Sequence, residues 1–344
     1  MEIPWSLYVL ANIAKRLQSL ASMNDLKIAP VSTVAMKCKG RQDRFYYLRT
    51  IGVILVTVQH VLTLMWKEED LSEWGLLGTG IIGQSGVSIF CWISGWLAIQ
   101  DRRRPMAWML QRLRVLLPAY WIVLFVSFVL VTIVKQETVS FSQVLSQFLC
   151  IGQWTHPTTL VNEPTWFVNF IVLCYIMVVL LKMLPRIEVA VALALVGAFC
   201  LVPLANITAW SLWPWYHFIP FLIGMLMACY FQKPPILILL GIAMGLFGMS
   251  IFQPVFATIA VSKLIVSIPL EHLRVARAKW VSDHTYTYFL VHGVFLSGMV
   301  TCMPAAPMVA TLIAIASACI ASVGLQFMMD RIPSLNPNRK LMNV

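Results

Sequence analysis

Ten runs of mostly apolar residues divide this chain, and a helix needs about 20 such residues to cross the hydrocarbon core of a bilayer. They fall at Tyr47–Met65, Gly80–Gln100, Leu113–Val134, Trp166–Leu184, Val189–Leu204, Trp213–Phe231, Pro235–Ser250, Val255–Leu270, Thr285–Thr301 and Pro307–Phe327. Hydrocarbon offers the backbone no hydrogen-bond partners, so continuous apolar runs of this length must close their own bonds as helices. The fold class that follows is all-α, a polytopic integral membrane bundle of about ten transmembrane helices. With 60% hydrophobic and 11% charged residues, the chain lies far outside globular usage. The spans form one continuous domain over 45–330, between an arm at 1–44 and a tail at 331–344.

Charge sets the orientation, because basic residues concentrate in cytoplasmic loops. Lys37, Lys39, Arg41 and Arg44 precede the first span, and Arg102, Arg103, Arg104, Arg112 and Arg114 lie between the second and third. Lys182 and Arg186, then Lys233, then Arg274, Arg277 and Lys279 follow on every second connection, and Arg339 and Lys340 close the chain. The first connection instead holds Glu68, Glu69, Asp70 and Glu73. Both termini are therefore expected in the cytoplasm.

The net charge of +11 is distributed in these short juxtamembrane segments, a pattern that addresses anionic lipid and argues against a nucleic-acid partner. Met1–Ala21 lacks the apolar centre and cleavage site of a signal peptide. It reads as part of a cytoplasmic arm, with an amphipathic stretch over Trp5–Leu20 suited to the membrane surface. The eight cysteines are scattered through apolar runs with no zinc-ligand spacing, so no metal site is expected. Gly78-Thr79-Gly80-Ile81-Ile82-Gly83 fits a dinucleotide string but opens a membrane span rather than a βαβ unit. With Gly86, Ser88, Ser94 and Gly95 it reads as close helix–helix packing. The connection Lys135–Thr165 is longer than a hairpin needs, and Val139–Ile151 within it reads as a short interfacial or re-entrant helix.

Chemistry-bearing residues are few. His60 lies inside the first apolar run, where an ionisable side chain is a functional-site hypothesis by default. Arg49 precedes it by eleven positions, about 1100° of helix rotation and about 16 Å of rise, which puts both on one face. Arg49 is expected near the membrane surface and His60 near mid-depth. Arg112 and Arg114 enter the third span in Gln111-Arg112-Leu113-Arg114-Val115-Leu116-Leu117-Pro118-Ala119-Tyr120-Trp121, deep enough for guanidinium groups to bind phosphates bidentately. His292, in the ninth span, reads first as a buried hydrogen-bonding histidine and second as a further catalytic group. His156, His217, His272 and His284 fall near span ends or in loops and read as interfacial. Trp154, His156, Trp166, Trp210, Trp213 and Trp215 offer aromatic faces that suit sugar rings, and equally the belt of any membrane protein.

These strings together resemble the integral-membrane acyltransferase 3 family. Arg49-x10-His60, the small-residue span Gly86–Gly95, and Arg112-Leu113-Arg114 before Leu117-Pro118-Ala119-Tyr120-Trp121 carry the likeness. So do Thr165-Trp166-Phe167 with Tyr175, Phe218–Met225, and Trp280–His292, in order over roughly Arg44–Gln326. The resemblance implies ten spans and transfer of an acyl group, commonly acetyl, from cytoplasmic acyl-CoA. Acceptors are usually extracytoplasmic or lipid-linked sugars. It also implies roles for His60 and for Arg49, Arg112 and Arg114, and a bacterial inner membrane as location. Many members carry a glutamate soon after the tryptophan of the fourth-span motif. Here Asn169, Phe170 and Ile171 stand in its place.

The residues fit that chemistry. Acyl transfer to a hydroxyl needs a base, which His60 supplies near neutral pH, and CoA phosphates need an electropositive mouth, which Arg49, Arg112 and Arg114 supply. Gln59, Ser88, Ser94 and Tyr120 are candidate donors to the oxyanion. Acetyl-CoA acts as co-substrate, with no permanently bound cofactor expected. The expected partners are acyl-CoA, a sugar or glycolipid acceptor, and the bilayer. The alternative is a proton-coupled transporter or flippase, although the related halves or paired broken helices of many transporters are not found.

Overall fold

The structure, a computed structural model, describes residues 31–65, 82–136, 138–156, 158–207, 217–230, 275–303 and 306–332. The chain forms two compact units, Met1–Gln42 and Asp43–Val344; of the first, only helix from Val31 onward is described. Helices α1 (Val31–Met65), α2 (Gln84–Gln100), α3 (Pro105–Leu130), α4 (Phe141–Phe148), α5 (Gly152–Thr155), α6 (Trp166–Lys182), α7 (Ile187–Ile207), α8 (Phe218–Tyr230), α9 (Val275–Cys302) and α10 (Pro307–Arg331) follow in order, with no strand among the described residues. Among the described residues, four helical stretches are long and apolar enough to cross a membrane: Arg44–Thr63, Pro105–Ile133, Glu163–Lys182 and Met308–Arg331. The expected spans over 235–250 and 255–270, the Trp5–Leu20 stretch, the acidic first connection and the C-terminal basic pair lie outside the described residues.

The exterior is apolar. Phe125 is 68%, Leu193 67% and Ile320 74% exposed, an arrangement that suits lipid as the surrounding solvent. Inside, Trp108, Trp166, Phe167, Phe170, Phe221 and Phe289 belong to one buried cluster. Small residues set how closely the helices approach. A Cβ on Gly95 would overlap the Phe221 carbonyl of α8, and one on Gly224 would overlap the Trp92 carbonyl of α2. Gly86 is likewise pressed against the Gly52 carbonyl of α1. Here backbones, not side chains, form the contact, as glycine allows in membrane interfaces. Gly224→Val is therefore expected to destabilise the fold by about 3 kcal/mol, read as a lower thermal midpoint in detergent, because neither helix can yield without displacing the other.

Helices α1 and α9 run parallel along a shared polar seam. Arg49 Nη1 donates to Ser282 Oγ at 3.4 Å, Thr57 Oγ1 donates to the Tyr288 hydroxyl at 3.1 Å, and His60 meets His292 with ring centroids 5.0 Å apart. At the Arg49 end, α2 stops at Gln100 and Pro105 opens α3 at a position where its missing N–H costs nothing. Between them Asp101 accepts hydrogen bonds from the Arg103 backbone and guanidinium. That bond, first among its causes, holds the Asp101 carboxyl below its ordinary range and raises Arg103 in return. Lys182, closing α6, donates to the Asp101 carbonyl at 2.8 Å and lies 5.3 Å over the Trp108 ring. The ends of α2 and α6 are thus tied together, as the alternating charge pattern requires.

At the other end, α3 continues through a π-helical turn, Val131–Lys135, and α4 occupies the stretch read as interfacial. Its N-cap is a capping box between Ser140 and Gln143. The helix is inverted: Ser146 and Gln147 are buried, whereas Phe141 is 79% exposed, beside exposed Leu145, Phe148 and Leu149. Polar residues inward and apolar residues outward is the pattern of a helix lying against lipid.

Candidate active site

Two spans carry cations into one cavity. Arg49 of α1 and Arg112 of α3 line a space of about 300 Å³, together with Ser94 of α2, Tyr175 of α6, and Ser282, Asp283 and Tyr286 of α9. Arg49 and Arg112 are half-buried and close enough for their charges to act on each other. Neither forms an ion pair among the described residues, where the pair formed is Arg103–Asp101. The Asp283 carboxylate shares the cavity and its charge also acts on Arg49, but it is ion-paired to neither guanidinium, so both retain donors that can meet an anion in a partly desolvated setting. The walls between the polar groups are apolar, with Phe90, Leu116, Phe167, Ile171 and Phe289. Arg114, one residue beyond Leu113, points away and is exposed.

His60 sits at the far end of the same helix face. It falls three positions before Thr63 in the apolar stretch Arg44–Thr63, as bounded among the described residues. It is half-buried and packs against the fully buried His292. The segment entering α6 closes over this end. Asn162 Nδ2 donates to the Leu290 carbonyl at 2.8 Å, Pro164 abuts Gly293, and Glu163 between them is near enough for its charge to act on His60. The carboxylate absent after Trp166 is thus matched by one three positions before it. Sequence reading missed Glu163 because its nearness depends on a loop pinned to α9, more than a hundred residues away.

Several candidates stand elsewhere. The Tyr120 hydroxyl, proposed as an oxyanion donor, is buried and donates to the Gln147 carbonyl of α4; it fastens the interfacial helix. Ser88 is within 3.3 Å of His217 Nδ1, and Gln84 Oε1 within 2.9 Å of Nε2. His217, read as interfacial, is fully buried instead. Its imidazole has two polar partners and stacks on Trp166 with centroids 5.5 Å apart. Trp166 itself is 6% exposed, so its ring serves the core rather than presenting a platform for a sugar. Ser94 lies at the arginine end of the site. His156 bonds with Ser146 and Thr155, and His284 donates to the Trp280 carbonyl at 2.7 Å. Trp210, Trp213, Trp215 and His272 lie outside the described residues.

A basic cavity and a histidine on one helix face, within an apolar bundle, suit a class of membrane enzyme that handles an anionic substrate. Comparison with known families makes the class specific: a family model described as an acyltransferase domain matches residues 43–327. It begins where the second compact unit begins, and the protein is a membrane acyltransferase. The chain belongs to the acyltransferase 3 family. No curated protein and no solved structure matches it. Family membership decides between enzyme and transporter in favour of the enzyme.

Proposed function

We propose that this protein transfers an acyl group, acetyl in the simplest case, from cytoplasmic acyl-CoA to a hydroxyl of an envelope polysaccharide or lipid-linked sugar. The observation that carries the reading is the convergence of Arg49 and Arg112 on one cavity, with His60 farther along the Arg49 helix. The arginines bind the CoA phosphates through charge-assisted hydrogen bonds. The apolar walls receive the pantetheine arm, which extends toward His60 over the roughly 16 Å of helix rise that separates the two residues.

His60 removes the proton as the acceptor oxygen attacks the thioester carbon. A C–O bond forms and the C–S bond breaks, and the proton on His60 passes to the departing sulfur, so that CoA leaves as its thiol. The sugar enters from the opposite side of the membrane, past Glu163. The Glu163 carboxylate favours the imidazolium that forms on the way. Glu163→Gln is accordingly expected to lower turnover by about two- to fivefold, the size of an exposed charge interaction, with acyl-CoA affinity unchanged. A kcat and KM comparison of purified proteins reads this.

The acceptor class is tested in cells. Isotope-labelled acetyl groups are followed into envelope glycans and lipids in cells expressing wild type or His60→Ala. Base-labile label with the wild type alone supports an ester on a sugar hydroxyl. Label found only on lipid amines or peptides contradicts the proposed acceptor.

A further inference from the structure

We propose that His292 is the positioning residue for His60: its Nε2 accepts the N–H of the His60 imidazole and so fixes which His60 nitrogen offers a lone pair to the acceptor hydroxyl. The inference takes its catalytic meaning from the acyl-transfer reading, but the hydrogen bond itself can be tested without it.

The His292 ring is held in one state. Its Nδ1 is 2.7 Å from the Phe289 carbonyl and 3.3 Å from the Tyr288 carbonyl. Carbonyls only accept, so Nδ1 carries the proton, and the neutral ring presents Nε2 as a bare acceptor. The ring cannot readily turn: it stacks on Tyr288 at 5.5 Å with 10° between planes, and Phe289 packs against it at 5.5 Å. Yet Nε2 is buried with no hydrogen bond of its own. A buried polar atom without a partner is uncommon and calls for an explanation.

His60 provides it. The two ring centroids are 5.0 Å apart with 58° between planes. Two imidazoles joined end to end by an N–H···N bond of about 2.9 Å have centroids about 5 Å apart. His60 makes no hydrogen bond among the described residues, so a small rotation of its ring closes the contact. The two histidines also differ in access. His292 is fully buried and cannot touch a substrate, whereas His60 is half-buried and within reach of the Glu163 charge. His292 therefore acts through His60. During transfer the hydroxyl proton moves to the free His60 nitrogen, the N–H toward His292 stays in place, and His292 remains neutral.

The two ring nitrogens of His292 can be tested separately. His292→Asn keeps a donor near the Nδ1 position and loses the Nε2 acceptor; His292→Gln keeps an acceptor near the Nε2 position. The purified full chain is treated with diethyl pyrocarbonate near neutral pH, and carbethoxylation of the His60 peptide is followed by mass spectrometry. The reagent reacts with an unprotonated imidazole lone pair, which an acceptor on the opposite N–H makes more nucleophilic. His60 modification is expected to slow on the order of tenfold in His292→Asn, the loss of one hydrogen bond, and to change by less than about twofold in His292→Gln. Acyl transfer should fall in the same order. Equal rates in all three forms, or slowing in His292→Gln alone, would overturn the proposal.

A second measurement needs no variant. With the six histidines ¹⁵N-labelled, a nitrogen–nitrogen coupling across the His60–His292 hydrogen bond is expected, and its absence counts against the bond even where a variant fails to fold. If wild type transfers no acyl group but the modification order and the coupling hold, the acyl-transfer reading fails and the histidine pair stands.

Discussion

His60→Ala is expected to lower acyl transfer by about a thousandfold while leaving acyl-CoA affinity within about twofold of wild type. The rate loss is the usual worth of a positioned general base. The unchanged affinity follows from the geometry: the donor is held at the arginine end of α1, and His60 lies about 16 Å along the same helix by rise per residue. A loss confined to kcat marks an interaction made only in the transition state. Stability should fall only modestly: the half-buried ring is lost and the His292 Nε2 is left without the donor proposed for it, at a cost of about 1–3 kcal/mol, while His292 stays anchored to the Phe289 carbonyl. If acyl-CoA binding falls together with turnover, the division of the site into a donor end and a chemical end is wrong.

Removing either cavity arginine should have the opposite signature. Arg49→Ala and Arg112→Ala are each expected to weaken acyl-CoA binding by about 10- to 100-fold, the equivalent of about 1.5–3 kcal/mol for a charge-assisted hydrogen bond. The double variant should lose less than the product, because both groups serve one ligand. Arg112→Lys should recover only part of the affinity, since an ammonium cannot make the paired bonds of a guanidinium. Arg114→Ala should cost less than about threefold, because Arg114 is exposed and its charge is screened by salt. Acyl-CoA titrations on purified protein at two salt concentrations read all four. Equal sensitivity at Arg112 and Arg114 would mean that the cavity is not where the phosphates bind.

The apolar runs located the helices because the bilayer leaves one backbone solution, so eight of the expected spans overlap described helices and the remaining two lie outside the described residues. The Arg49–His60 face was legible from helical periodicity, and α9 meets that face through Ser282 and His292. Glycines in the second span announced close packing, although not that Gly95 would oppose Gly224 of α8. What sequence could not supply was long-range pairing. Glu163 reaches His60 only because Asn162 bonds to Leu290. Tyr120 is taken up by Gln147 because α4 folds back onto α3. His217 lies just before α8, at what reads as a span margin, yet Ser88 and Gln84 of another helix bury it. Each depends on which helices become neighbours, and a single chain's hydropathy does not encode that.

The most direct test of the account is acyl transfer by the purified protein in liposomes. ¹⁴C-acetyl-CoA is supplied on the face where Arg49 and Arg112 open, with a lipid-linked glycan as acceptor, for wild type and His60→Ala. The account predicts base-labile label on the glycan and release of free CoA thiol in equal amounts with wild type, and neither above background with His60→Ala. Label transfer that is undiminished in His60→Ala would contradict it.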